Sequence, residues 1–567
     1  MRRTRTEFLS AETGTIRKGW RGKVSVALIY PNRYEVGMSN LGFQAVYRLM
    51  NDLEDVVCER AFPSEREGTG NGRLRSLESN RALADFDIIA FSISFENDYL
   101  NLLAVLAEAG LPLLSSERTP PHPLIIAGGV TSLLNPEPIA PFVDCFLIGE
   151  AESILPSFFD IFRKHSQKEA FLEALTVHVP GTYAPASYHV TYETDGTIAQ
   201  FLPKGDLPVK VRRVLVEDLS LYDTYTTVLT PHTTFDNTWL VEVARGCPHG
   251  CRFCAAGYVY RPPRFRTAAQ LGGSLDEAAL HAGRVGLLAA ALTDIPCLEE
   301  LCLKAIAHGL KVSFSSLRAD LLSPELLEIV KRTGAKTVTI APDAGSERMR
   351  RVINKGISEQ DVFKAVEMLV RAGIPNVKLY FMVGLPGETM ADVEAIVALC
   401  NKIKHRFLKA SQPTARLGRI IVSLSCFVPK PFTPFQWVPL EGVKDLKAKI
   451  KHVKDGLRRV PNIRVHSDLP RWAYIQALLS RGDRRTAELL VAAHKNNGNW
   501  AKTLKDSITN PDFFVYRERS FDEILPWDFI DHGISKAFLI EEYQKALRAE
   551  TSPPCHVGQC KACGVCA

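Results

Sequence analysis

The segment ARGCPHGCRFCAAG constrains this chain more than any other, because it places Cys247, Cys251 and Cys254 in a C-x3-C-x2-C arrangement directly after the apolar run WLVEVA. Three thiolates on one loop can hold three irons of a four-iron four-sulfur cluster and leave the fourth iron without a protein ligand. The logic is that of a catalytic metal that keeps one position open for a substrate or cofactor. A structural zinc site and incidental thiols are the rival readings. His249 lies inside the loop and reads as a spacer, since the three cysteines already satisfy the pattern.

The chain has 13 cysteines, of which Cys58, Cys145, Cys297, Cys302, Cys400 and Cys426 are scattered. The remaining four form a tail, Cys555-x4-Cys560-x2-Cys563-x2-Cys566, with close to ferredoxin-like spacing and tighter than most paired zinc-finger units. An auxiliary iron-sulfur cluster is the preferred reading; zinc or a mobile redox or metal-delivery tail are the alternatives. The start of the chain, MRRTRTEFLS, leads into AETGTIRKGW without an apolar core, so secretion is not expected and a reducing cytoplasm fits the clustered thiols. No apolar run approaches the roughly 20 residues needed to span a bilayer. A net charge of +6, from 69 Lys and Arg against 63 Asp and Glu, implies no nucleic-acid partner by itself.

At 567 residues, with 46% hydrophobic and 23% charged residues, the chain should fold into several cores. Residues 1–170 alternate short apolar runs with amphipathic stretches, and the runs end in Gly128-Gly129 and Gly149-Glu150. That punctuation predicts a Rossmann-like or flavodoxin-like α/β domain with parallel strands whose C-terminal ends open into ligand-binding loops. Residues 171–235 read as a β-rich connector with a hairpin turn at Asp195-Gly196. Residues 236–440 return to strand-helix rhythm with six strand candidates, which predicts a partial (β/α)6 barrel. Helical patterns dominate residues 441–550, and Thr551-Ser552-Pro553-Pro554 breaks the chain before the cysteine tail of residues 551–567.

The loop, with Phe253 just before its third cysteine and a partial barrel after it, resembles the radical S-adenosylmethionine (SAM) superfamily. The resemblance implies that SAM chelates the open iron and is cleaved reductively to a 5'-deoxyadenosyl radical, with a reductant protein such as flavodoxin or ferredoxin as electron donor. It also implies cofactor contacts from Phe253, from Ser315, Ser316 and Arg318 in KVSFSSLRAD, and from Asp343 and Ser346 in IAPDAGSERMRRVINKG. Ser346 is equally well placed to cap a helix. Gly384 and Gly387 in FMVGLPGET resemble a late-strand segment that approaches adenine. One departure stands out: where the superfamily has Gly-Gly-Glu after its second strand, to bind the SAM amino group, this chain has LLAAALTD.

The N-terminal half resembles the cobalamin-binding domain of cobalamin-dependent radical SAM enzymes, and EVARGCPHGCRFCAAGYVYRPPRFR, KPFTPFQW, LSRGDRR and LPWDFI are similar to an uncharacterised bacterial family of such proteins. Cobalamin, if bound, would lie on Gly128, Gly129 and Gly149. The Asp-x-His-x-x-Gly motif is absent and no histidine precedes His122, so cobalt would lack a histidine ligand. Two functions follow as expectations. The first is cobalamin-dependent methylation of an unactivated carbon; the second is an iron-sulfur or zinc module that engages RNA or a ribosomal substrate through its basic C-terminal helices. Radical methylthiotransfer would need three N-terminal cysteines, and only Cys58 and Cys145 occur there.

Overall fold

The computed structural model describes residues 4–63, 74–412 and 418–566. Five parallel strands, β1 (Val24–Ile29), β2 (Val56–Ala61), β3 (Ile88–Ser92), β4 (Leu124–Gly128) and β5 (Cys145–Leu147), are joined by an antiparallel sixth, β6 (Thr182–Tyr183), in the order β2-β1-β3-β4-β5-β6. The parallel part has the flavodoxin-like order, whose ligand crevice lies at the C-terminal ends of β1 and β3. These strands read as continuous apolar runs because both faces are covered, and two separate groups of buried side chains flank the sheet. The helix Leu41–Asp52, capped by the Asn40 side chain, buries Phe43, Tyr47 and Met50 on one of those faces.

The expected connector starts inside a helix, Lys168–His178, and then contributes β6, the hairpin β7 (Tyr188–Tyr192) and β8 (Ile198–Pro203), and β9 (Val211–Arg212). Gly196 has φ of 88° in that hairpin, and the Asp195 carboxylate accepts from the Thr197 N–H at 2.9 Å. The barrel follows in two pieces. β10 (Trp239–Glu242) leads into the short antiparallel pair β11 (Ala244–Arg245) and β12 (Arg264–Phe265), and β10 itself pairs in parallel with β13 (Arg284–Leu288), which pairs with β14 (Lys311–Phe314). β15 (Thr337–Asp343), β16 (Asn376–Val383) and β17 (Arg419–Cys426) form a second parallel ladder. All six predicted barrel strands are therefore present, but the β14 and β15 edges stand apart around a cavity of about 550 Å3, and the Leu317 N–H after β14 donates to Thr339 O at 3.1 Å. A seventh parallel strand, β18 (Ile463–Ser467), adds to β17 inside the segment expected to be helical.

The C-terminal region is otherwise helical and clamps the two α/β units. Its last strand, β19 (Ile530–Asp531), pairs with β9. The LSRGDRR motif bends where the Asn135 side chain donates to Ser480 O and Gly482 O, and Arg484 pairs with buried Glu137 at 2.8 Å. Arg481 is fully buried and donates to Val515 O and Arg517 O, while Arg485 pairs with Asp483 and stacks over Tyr192. Of the two basic segments read from the sequence, Lys444 to Arg459 and Arg481 to Arg485, the arginines of the second are thus engaged within the fold, whereas Lys444, Lys447, Lys451, Lys454, Arg458 and Arg459 of the first are exposed. No helix among the described residues is long and apolar enough to cross a membrane.

His532 of the LPWDFI region reports on this clamp. It is 4% exposed, packs edge-on against Phe432 and donates from Nε2 to Leu133 O at 2.8 Å, with Nδ1 unpartnered. Burial, with Arg213 nearby, lowers its pKa to about 3. The unfolded chain protonates near 6.5 and the folded one does not, so stability falls as pH drops below about 6.5, by roughly 2 kcal/mol between pH 7 and pH 5. A His532→Gln variant should flatten that part of the pH profile in thermal melts; an unchanged slope would remove His532 as its source.

Candidate metal centre

The cysteine loop is a closed excursion whose base is the β11–β12 pair. Gly246 opens it with φ of 88°, and a Cβ there would lie 2.6 Å from Tyr260 O, so no side chain fits. Inside it, the Cys254 N–H donates to Cys251 O at 3.0 Å and the Gly257 N–H to Cys254 O at 3.2 Å. Tyr258 Oη, also inside the loop, donates to Gly250 O at 3.2 Å, and from outside Asn354 donates to the same oxygen at 3.1 Å. Arg252, fully buried between two of the cysteines, donates to Arg351 O and Val352 O and pairs with Glu542.

Cys247, Cys251 and Cys254 are all partly exposed and unbridged. Loss of solvent pushes the free thiols up, Cys247 to about 12 and Cys251 to about 11, and each feels its neighbours' charge. Lys355 opposes that shift at both Cys251 and Cys254, and Arg318 opposes it at Cys251, so two cations face the sulfurs. Among the described residues, no three His, Cys, Asp or Glu side chains converge as ligands of a single metal ion. The thiolates of a four-iron cluster bind different irons and need not converge so closely.

The predicted cofactor residues divide by position. Arg318 lies near Cys251, with Nε and Nη2 on Asp320 at 3.1 and 2.9 Å. Asp343 ends β15 after a register irregularity, with φ of 62°, and pairs with Lys355 at 2.6 Å. The bulge re-aims this carboxylate toward the loop side of the barrel. Phe253 packs against the main core. Ser346 is committed elsewhere: its hydroxyl caps the helix Glu347–Val352 and donates to Asp392 at 2.6 Å, so the capping role accounts for it. Ser316 lines the gap between β14 and β15, as does Ser315, which also borders the cavity described next. Gly384 has φ of 84° and lies under Leu446 and Glu441, which leave no room for a Cβ, while Gly387 is a plain open turn.

Sequence reasoning missed Asp294 and Lys355. Asp294, the acidic residue of LLAAALTD, accepts from His249 Nε2 through Oδ1 at 2.8 Å, which gives the loop histidine a partner. Its Oδ2 is buried with no hydrogen-bond partner, and its charge reaches both Cys247 and Arg318. The signal was present as the carboxylate following the second barrel strand, displaced from the usual Gly-Gly-Glu spacing.

A cavity of about 640 Å3 joins this site to the N-terminal sheet. Gly128, Gly129 and Gly149 line one wall, the helix residues Ala45, Val46 and Leu49 another, and Arg245, Gly246 and Ala256, which flank the cysteines, a third. Gly129 has φ of 102°, and a Cβ would lie 2.4 Å from Ile93 O. Arg245 is held by Glu150, Glu152 and Glu242 at 2.8 to 2.9 Å, which fixes the floor between the two units. No histidine is among the described residues that line the cavity. Cys58 and Cys145 are buried in β2 and β5, four strand spacings or roughly 19 Å apart. The cysteine tail returns to the loop, where the Cys555 N–H donates to Pro248 O at 2.8 Å.

Two family descriptions match: "Radical SAM proteins, N-terminal" over residues 42–185 and "Radical SAM superfamily" over residues 241–400. An uncharacterized protein of Methanocaldococcus jannaschii is 30% identical over 470 residues, 82% of this chain and 90% of that one. A tRNA-2-methylthio-N(6)-dimethylallyladenosine synthase of Chlorobium phaeobacteroides is 23% identical over 182 residues, 30% of this chain and 40% of the synthase. Among solved structures, the radical S-adenosylmethionine methyltransferase TsrM from Kitasatospora setae, with cobalamin and a [4Fe-4S] cluster bound, aligns with a TM-score of 0.47 at 12% identity, covering 73% of this chain and 77% of that one.

Proposed function

The chain belongs to the radical SAM superfamily of iron-sulfur enzymes, and we propose that it is a cobalamin-dependent member that methylates an unactivated carbon. One observation carries the cobalamin reading: a single large cavity is bounded by the glycine ends of a flavodoxin-like sheet on one side and by residues flanking the cluster cysteines on the other. Its volume of about 640 Å3 falls in the middle of the ligand-pocket range. The glycine-lined strand ends suit a bulky cofactor whose edge must approach the backbone. With no histidine in its lining, cobalt would be held without an imidazole ligand.

The donor set fits a [4Fe-4S] cluster on Cys247, Cys251 and Cys254, and such a cluster supplies the electron that splits SAM, while cobalamin supplies a transferable methyl group. The chain's own residues then have defined tasks. Lys355 and Arg318 offset the negative charge of the thiolates. Arg318, whose Nη1 makes no bond among the described residues, is positioned to meet the SAM carboxylate, and the unpartnered Oδ2 of Asp294 to meet its ammonium. Asp294 thereby replaces the missing Gly-Gly-Glu carboxylate. A methylthiotransfer reading lacks support in the N-terminal domain, where Cys58 and Cys145 lie on separate buried strands.

The test is anaerobic purification with hydroxocobalamin. Near-stoichiometric cobalt is expected, and a Val46→Trp variant, which fills the cavity, should lower cobalt roughly tenfold without changing iron. A wild-type protein that retains iron and takes up no cobalt would overturn the cobalamin reading. Asp294→Ala should raise the KM for SAM about 10-fold to 100-fold, the loss of one charged hydrogen bond, with iron unchanged. An unaltered KM would release Asp294 from that role.

A further inference from the structure

The tail cysteines are used by none of these steps, yet the structure fastens them to the cysteine loop through several independent contacts. The Cys555 N–H donates to Pro248 O at 2.8 Å, which puts Cys555 on the order of 10 Å from Cys247 along the backbone. Just before the tail, the Ser552 N–H donates to Asn354 Oδ1 at 2.9 Å, and the same Asn354 donates to Gly250 O inside the loop. Ser552 Oγ donates to Glu542, the buried partner of Arg252. On its other side the tail is held by the Ser535 N–H donating to Cys563 O at 2.9 Å. Gly564, with φ of 90°, lets the chain turn against Gly533 O, 3.2 Å from where a Cβ would stand.

The four thiols fall within one short segment that runs from Cys555 to Cys566. Cys563 is 2% exposed, whereas Cys555, Cys560 and Cys566 are partly open to solvent. Arg261, near the end of the loop, donates to Gly257 O at 2.6 Å and lies over the rings of Tyr258 and of Phe538, the latter on the helix Lys536–Leu547 that leads to the tail.

We propose that Cys555, Cys560, Cys563 and Cys566 hold a second [4Fe-4S] cluster that passes single electrons from a reduced carrier protein to the cluster on Cys247, Cys251 and Cys254. The proposal rests on the reading of that trio given above. Four thiolates saturate four irons, so the tail cluster has no vacancy for a substrate, in contrast to the three-thiolate loop. Its place between solvent and Pro248 suits an electron entry point. For each SAM cleaved, a reduced flavodoxin loses one electron, the tail cluster is reduced and reoxidised with no bond or proton change, and the electron leaves in breaking the C5'–S bond to methionine and the 5'-deoxyadenosyl radical.

Full-length protein is reconstituted anaerobically with iron and sulfide and assayed for iron, sulfide and zinc. The wild type should hold about eight irons, and a variant with all four tail cysteines replaced by Ala about four. A variant with Cys247, Cys251 and Cys254 replaced should also keep about four, now insensitive to SAM by electron paramagnetic resonance. Zinc lost in place of iron from the tail variant, or no iron left in the loop variant, overturns the tail cluster. A loop variant that keeps all its iron instead overturns the trio reading, so the two failures are distinguishable. Using reduced bacterial flavodoxin as donor, reduction of the loop cluster should slow at least about tenfold in the tail variant, while reduction by dithionite stays within about twofold. Equal flavodoxin-driven rates overturn the relay.

Discussion

Replacing Cys247, Cys251 and Cys254 together by Ala is expected to lower reductive formation of 5'-deoxyadenosine by at least roughly 10^3-fold, which corresponds to about 4 kcal/mol or more of lost barrier reduction. The loss should be nearly complete with any one of the three, because residues that act as a unit are not additive. The loop itself should survive. It is held by Arg252, Asn354, Tyr258 and the β11–β12 pair, none of which uses a cysteine side chain. Each substitution removes one sulfur from a partly exposed position, so little core packing is lost. Near-ultraviolet circular dichroism and thermal melting check the fold, and product analysis by liquid chromatography checks the chemistry. Retained 5'-deoxyadenosine in a folded triple variant would remove these cysteines from the reaction.

The parts of this molecule that were legible in the sequence are those whose signal is local. VSVALI, IIAFS and LIIAG read as buried parallel strands because both sheet faces are covered, and they fold as such. The C-x3-C-x2-C loop was legible because its chemistry is packed into consecutive residues. β18 was not, since IRVHS alternates exposed and partly exposed positions and gains its place only by pairing with β17. Nor was the fate of the arginines in LSRGDRR. A guanidinium that can donate to several backbone carbonyls is buried as readily as it is solvated, and the carbonyls that bind Arg481 belong to a distant segment. The same limit hid Asp294 as a partner of His249: the two lie far apart along the chain, and only the fold brings them together.

Arg252 shows how much of the site depends on such a long-range partner. The sequence presents it as an ordinary charged residue between Cys251 and Phe253, yet it is fully buried, with Nη1 on Arg351 O and Val352 O and with Nε and Nη2 on Glu542 at 3.2 and 3.1 Å. Arg252→Met removes the cation, takes the side-chain donor from Val352 O and leaves the buried Oε2 of Glu542 without its partner, whereas Arg351 O keeps the Asn354 N–H; breaking a buried pair in this way typically costs about 3–5 kcal/mol. Glu542 keeps Lys545 and Ser552 as partners, which places the expected loss near the lower end, about 3 kcal/mol. Because Glu542 sits on the helix Lys536–Leu547 that leads into the tail, the variant should also loosen residues 551–566 and raise their cleavage by protease before the rest of the chain unfolds. Adding Glu542→Leu should restore more than half of the lost stability, since a matched apolar pair replaces a broken ion pair without leaving a buried charge. If Arg252→Met melts like the wild type, or if the double variant is weaker than the single, the buried pair is not what fastens the C-terminal helix to the cysteine loop.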